Sequence, residues 1–200
     1  MSKQEASKKR KELIAESTFR VIQSVGLEKT TIRKIAKESG FSLGTVQYYF
    51  PSQHEIYTYS MELLSKRITE RIVQSVQKGD PVLGGVATML KQLISNQDEE
   101  QYIENEVWLS FSLMALRDQA LQPLSYSTHQ NTKQFMKHIL EILQQNNVLN
   151  DSLDMEMEAM NLHAFIDGLS VHSILYPDQF DEEMIVNRIK DYLRSKCTLH

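Results

Sequence analysis

The side chains best suited to recognition chemistry lie close together between Thr30 and Phe50, in the stretch TTIRKIAKESGFSLGTVQYYF. Arg33 can reach a phosphate or a guanine, and Thr45 a thymine methyl or a phosphate. Gln47 matches an adenine edge with two hydrogen bonds, while Tyr48 and Tyr49 carry phenolic hydroxyls on rigid stems. Gly44 and Thr45 are small enough to let a helix N-terminus approach DNA, where its free amides and positive dipole end can hold a phosphate. Tyr49 has a second reading, as a packing residue of a small core. Elsewhere the chemistry is sparse. His163 and Asp167 stand four apart on one helical face and could share a metal or act as an acid–base pair. Two groups are too few for a metal site, and a polar pair in a pocket or interface fits better. His129 and His138 are nine apart, off helical register for a joint site, and His200 is terminal. The sequence holds no Gly-rich phosphate loop, nucleophile elbow or metal-ligand cluster, so no cofactor or metal is implied. Cys197, the only cysteine, can form neither an intrachain disulfide nor a Cys-rich zinc site.

The elements that position these groups are helical. Glycines and prolines are few, seven and four, and fall mostly at element ends; no alternating pattern is long enough for a paired strand. A first helix is expected from about Lys8 to Val25, with Ile14, Thr18, Val21, Ile22 and Val25 on one face and Gly26 as a left-handed stop. Thr30 or Thr31 then caps a short helix, Ile32 to Ser39, whose Ile32, Ile35 and Ala36 point inward and which Gly40 ends. A third helix, Leu43 to Tyr49 or Phe50, gathers Leu43, Val46 and Phe50 into one narrow sector and leaves Gly44, Thr45 and Tyr48 outside it. Two short helices joined by a tight glycine-containing turn make a helix-turn-helix, whose second helix enters the major groove.

Charge supports this division. The net charge of −4 separates into +5 over residues 1–50, with ten Lys/Arg against five Asp/Glu, and −9 over the rest. A basic head on an acidic body fits a DNA-contacting module joined to something that should not adhere to DNA. At 200 residues and 41% hydrophobic, the chain can bury one good core or two smaller ones. No apolar run approaches the roughly 20 residues of a membrane helix, and the N-terminus has no signal-peptide core, so the expected location is cytoplasmic.

At the head the sequence resembles the TetR family of bacterial transcriptional regulators. The resemblance rests on Gly26, Thr30-Thr31-Ile32-Arg33-Lys34-Ile35-Ala36, Gly40-Phe41-Ser42 and Gly44-Thr45-Val46-Gln47-Tyr48-Tyr49-Phe50, about the first quarter of the chain. It implies an all-α fold: an N-terminal three-helix DNA-binding domain over residues 1–51 and a larger ligand-binding and dimerisation domain over 52–200, about nine helices in all. It also implies DNA contacts from Thr31, Arg33, Ser42, Leu43, Gly44, Thr45, Gln47, Tyr48 and Tyr49. Two positions depart from the family pattern. Many members have histidine at Tyr49 and a phosphate-binding lysine at Gln53, so one charged phosphate contact per subunit is missing and the basic Lys8 to Lys11 stretch is a candidate to compensate.

The fourth helix opens at Pro51-Ser52 with Ser52 and Glu55 in capping-box spacing and should run to about Lys78. Further helices are expected at Pro81 to Ser95, Glu100 to Arg117, Leu121 to Gln145, Asp154 to Leu175 and Asp181 to Lys196. The Glu106 to Phe111 and His163 to Leu169 stretches resemble the regulatory domains of the BetI-like branch. In the eighth helix Met155, Ala159, Leu162, Ile166 and Leu169 form one stripe, while Met160, Ala164, Val171 and Leu175 extend around the other side, so it should be covered on both. The ninth helix adds Ile185, Ile189, Tyr192 and Leu193, and a homodimer through the last two helices would form a four-helix interface. Tyr102, Trp108, Phe111, Met114, Phe135, Met136, His163 and Asp167 are candidates to line an effector cavity, although aromatic and methionine stripes more often form core.

The expectation is a homodimeric, ligand-responsive DNA-binding regulator, a repressor released from a palindromic double-stranded operator by a small-molecule effector. Alternatives stay open: an activator of the same fold, a small helical enzyme using His163 and Asp167, or an interaction module that has lost DNA binding.

Overall fold

The computed structural model describes residues 2–76, 81–94, 98–150 and 152–197. Among these residues there are nine α-helices and no strand beyond a bridge between Leu149 and Cys197. The helices are α1 (Lys3–Val25), α2 (Ile32–Ser39), α3 (Leu43–Tyr49), α4 (Gln53–Ser75), α5 (Val82–Lys91), α6 (Glu99–Ala115), α7 (Gln122–Gln145), α8 (Met155–Leu175) and α9 (Glu182–Arg194). The expected ends at Lys78 and Ser95, and His200, lie outside the described residues. By compactness the chain forms two units: Met1–Arg67 with Ile103–Ser125, and Ile68–Tyr102 with Tyr126–His200.

The first unit is organised by caps. α1 starts at Lys3 rather than Lys8, because Ser2 and Glu5 form a reciprocal capping box upstream of any apolar periodicity. Gly26 ends α1 with φ 77°, but its ψ of 160° puts it outside the left-handed helical region expected of it. Thr31, not Thr30, caps α2 by accepting the Lys34 N–H. Thr30 is buried and donates its hydroxyl to Gly26 O at 2.9 Å. Gly40 closes α2 at φ 70°, ψ 11°, a conformation that a side chain would strain. Ser52 accepts the Glu55 N–H at 3.2 Å, and its own hydroxyl reaches Glu55 Oε1 at 3.1 Å, so only the serine half of the expected box forms.

These caps set α1, α2, α3 and the start of α4 around one small core of Ile14, Val21, Ile35, Ala36, Val46, Phe50 and Ile56. Fully burying an aliphatic or aromatic side chain of this kind contributes about 1.5–3 kcal/mol. Arg67 of α4 bridges Glu16 of α1 at 2.6 Å and Glu104 of α6 at 3.4 Å, and Arg20 of α1 pairs with Glu38 of α2 at 2.8 Å. His54 Nε2 meets Asp118 Oδ2 at 2.8 Å, an interaction that holds the Asp118 carboxyl below its ordinary range.

In the second unit α5, α7, α8 and α9 enclose a core built around Leu90, Met136, Ile139, Leu140, Leu143, Leu162, Ile166, Ile185, Ile189 and Leu193. Met136 is fully buried in this core. One expectation changes here. Ile185, Ile189 and Leu193 of α9 also face inward, so they cover their own subunit and are not available to a partner. The apolar stripe was legible in the sequence, but what covers it was not.

α8 carries two opposed stripes. Ala159, Leu162, Ile166 and Leu169 are buried, whereas Met157, Met160 and Leu175 are 58%, 53% and 56% exposed. At about 100° per residue, Met157, Met160, Ala164, Gly168, Val171 and Leu175 fall within roughly 80° of one another on the face opposite the core.

Candidate nucleic-acid interface

α3 is a seven-residue helix fixed at both ends. Ser42 Oγ accepts the Thr45 N–H at 3.0 Å, and the Phe50 N–H closes the last turn on Val46 O at 2.9 Å. Val46 and Phe50 anchor it in the head core, at 0% and 2% exposure. Gly44, Gln47 and Tyr48 consequently face outward, and Tyr48 is 80% exposed. Leu43 is also exposed, so the sector that it shares with Val46 and Phe50 runs out of the core at the N-terminal end.

The hydrogen bonds refine what each group can offer. The Ser42 and Thr45 hydroxyls are bonded to each other at 2.8 Å, and the Thr45 amide is committed to the cap, which leaves the Leu43 and Gly44 amides for a phosphate. Beside Gly44, the nearest atom to an added Cβ is Ser42 Oγ at 3.9 Å, so the glycine is not required by packing within the chain. Arg33 and Lys37 are exposed on α2, while the Lys34 ammonium donates to Lys29 O at 2.9 Å.

Tyr49 packs on the head core as its second reading expects, with its hydroxyl left outside. Its ring is half-buried against the head core and meets Tyr48 edge-on at 5.1 Å. Its hydroxyl reaches the surface and accepts a hydrogen bond from Arg10 Nη1 at 3.1 Å. Gln53 turns inward: its side-chain amide donates to Thr30 O at 2.7 Å and to the Tyr57 hydroxyl. It joins α4 to the loop before α2 and presents no donor outward. The Arg10–Tyr49 pair joins residues 39 apart, which no local spacing reveals.

The candidate effector residues divide between the units. Trp108, Phe111 and Met114 belong to the first, where Phe111 is buried; Tyr102, Phe135, His163 and Asp167 belong to the second. Within the second unit His163 Nε2 lies 3.4 Å from Asp167 Oδ2, and the His129 ring stacks on His163 at 5.0 Å, an association absent from the sequence reading. Burial of His163 pushes its pKa down, only partly opposed by Asp167, and burial pushes Asp167 up. No group of three or more ligating side chains suited to a metal occurs among the described residues. Nor is any helix among them long and apolar enough to cross a membrane.

Comparison with known proteins places both parts of the chain. Residues 14–59 match the model of bacterial regulatory proteins of the tetR family, and residues 85–198 that of the BetI-type transcriptional repressor C-terminal domain. The chain is 32% identical to the HTH-type transcriptional regulator PksA of Bacillus subtilis, over 98% of its own length and 94% of the relative's. It is 25% identical to the HTH-type transcriptional regulator BetI of Vibrio campbellii, covering 96% and 94% of the two chains. Among solved structures, a transcriptional regulator from Saccharomonospora viridis in complex with choline superposes with a TM-score of 0.82 at 20% identity, covering 96% of this chain and 100% of the other. A TetR-family regulator from Cytophaga hutchinsonii also gives 0.82, at 14% identity over 100% and 99%.

Proposed function

From the premise that the chain belongs to the TetR family of DNA-binding transcriptional regulators, which are not enzymes, with a BetI-type C-terminal domain, we propose that it works as a homodimeric repressor. Two copies of α3 enter successive major grooves of a palindromic operator, with half-sites about 34–36 Å apart. Gln47 and Tyr48 read base edges; Thr45 and Leu43 meet thymine methyls; Thr31, Arg33, Ser42, Tyr49 and the amides at Leu43 and Gly44 hold phosphates. The observation that carries this reading is the outward face of α3, which projects hydrogen-bonding groups from a helix locked to a rigid core.

The exposed stripe on α8 supports a dimer in which two such faces cover each other, joined by the outward side of α9. A small organic effector acts in the second unit at His163 and Asp167, with the His129 ring stacked on His163. An effector that favours the state with lower DNA affinity shifts the population; a tenfold loss of operator affinity requires about 1.4 kcal/mol of differential binding.

The test is to recover duplexes bound by the purified protein from random-sequence DNA and to transcribe from a promoter containing the recovered motif. A twofold motif with half-site centres one turn apart, and reduced transcription on addition of protein, is the expected result. Recovery without enrichment of any motif would remove the specific-operator reading, and increased transcription would make the protein an activator.

A further inference from the structure

Arg10 is placed by the geometry of α1. It lies one turn before Ile14 on the stripe Ile14, Thr18, Val21 and Val25 that faces the head core, and the core stops at Ile14. The arginine therefore passes the end of the packed region, and its guanidinium meets the Tyr49 hydroxyl in the last turn of α3. Lys11, the next residue, sits over the rings of Phe50 and Tyr59 at 5.3 and 5.8 Å. Two cations of α1 thus gather at the C-terminal end of the helix whose outer face carries Gln47 and Tyr48.

Among the described residues Arg10 forms no ion pair, and the five acidic side chains of residues 1–50 each have another partner. Glu5 accepts from the Ser2 amide, Glu12 lies 4.0 Å from Lys8, and Glu16 pairs with Arg67. Glu28 lies 3.6 Å from Arg117, and Glu38 pairs with Arg20. The bond to Tyr49 uses one of five guanidinium N–H groups, and Tyr49 accepts it through a lone pair, so its own proton stays free to donate. An exposed hydrogen bond to a neutral hydroxyl adds little to stability. The pair offers a donor fork beside a phenolic donor, a combination that suits the two non-bridging oxygens of a phosphodiester. Gln53, turned inward on Thr30, supplies no competing donor at the start of α4.

Resting on the DNA-binding reading above, we propose that Arg10 and Tyr49 together clamp one operator phosphate per protomer, so that α1 contributes a charged backbone contact at the C-terminal end of the recognition helix. The test titrates the full-length protein against a duplex that it has itself selected from random-sequence DNA, over a range of salt concentrations. Arg10→Gln should make the slope of log K against log salt shallower by about 0.9 per protomer, equivalent to about eightfold per protomer one decade below 1 M salt. Arg10→Lys should restore the slope, and Tyr49→Phe should weaken binding without changing it. A scan of single neutral methylphosphonates along the duplex should find one position per half-site that weakens the wild type but not Arg10→Gln. A wild-type slope in Arg10→Gln, or losses that add at every phosphate, would overturn the clamp while leaving operator binding in place. Failure of the wild type to retain any duplex would overturn the DNA-binding reading, and the clamp with it.

Discussion

The outward faces of α3 and α8 stand against similar inner ones. Both helices bury an aliphatic stripe, Val46 with Phe50 in one and Ala159, Leu162 and Ile166 in the other. Outside, α3 presents a glycine, a threonine, an amide and a phenol, whereas α8 presents Met157, Met160, Ala164, Gly168 and Leu175. The inner faces say only that each helix packs. The outer faces differ in what they could satisfy: hydrogen-bonding groups without formal charge suit base edges in a groove, and a methyl and thioether stripe suits a second apolar surface. An exposed face that its own unit does not use is therefore more informative about partners than the core beneath it.

Breaking the α8 side of this comparison should have the largest effect. A Cβ at Gly168 meets nothing within 4 Å in the subunit, so Gly168→Arg should fold and gain helix propensity while placing a charge in the middle of the apolar stripe. We expect it to sediment as a monomer at micromolar concentration and to bind the selected duplex about 10²–10⁴-fold more weakly, because the second head is no longer tethered to the first. A Gly168→Arg protein that stays dimeric with wild-type affinity would move the dimer interface away from this face. The α3 side should respond less and more selectively. Gln47→Ala should lose about 1–3 kcal/mol on the selected duplex and almost nothing on unrelated DNA, with the oligomeric state unchanged. Equal loss on every duplex would make Gln47 a backbone contact.

What was legible follows the range of the forces involved. α2 and α3 match their expected bounds because strong local signals mark their ends: the Thr31 and Ser42 caps and Gly40 in the left-handed region. The start of α1 was missed because Ser2 and Glu5 act through one turn of polar helix with no apolar period to reveal it. The inward set of α9 was readable as a stripe, but a stripe looks the same whether its own subunit or a second copy covers it. At the site, the outward residues of α3 follow from periodicity, whereas Arg10 on Tyr49, Gln53 on Thr30 and His129 on His163 are contacts made only by folding.

The smallest expected effect belongs to neither outward face, and it separates them from the interior. His163 is 7% exposed, stacked on His129 and 3.4 Å from Asp167. Burial lowers its pKa below the ordinary 6.5, so just below that pH the unfolded chain takes up a proton that the native imidazole refuses. The unfolded state then binds more protons, and stability falls as pH falls, by at most about 1.4 kcal/mol per pH unit for one proton. Asp167 acts in the opposite sense: its raised native pKa adds stability as pH falls toward 3.8. The histidine therefore dominates nearer pH 6.5 and the carboxylate further down. Thermal unfolding of the wild type from pH 7.5 to 6 should show a falling Tm, and His163→Asn should flatten that part of the curve while leaving dimer assembly and the salt slope on DNA unchanged. A wild-type Tm that rises over this interval would mean that attraction to Asp167 outweighs burial, and that the pair is an ion pair at neutral pH instead of a neutral buried imidazole.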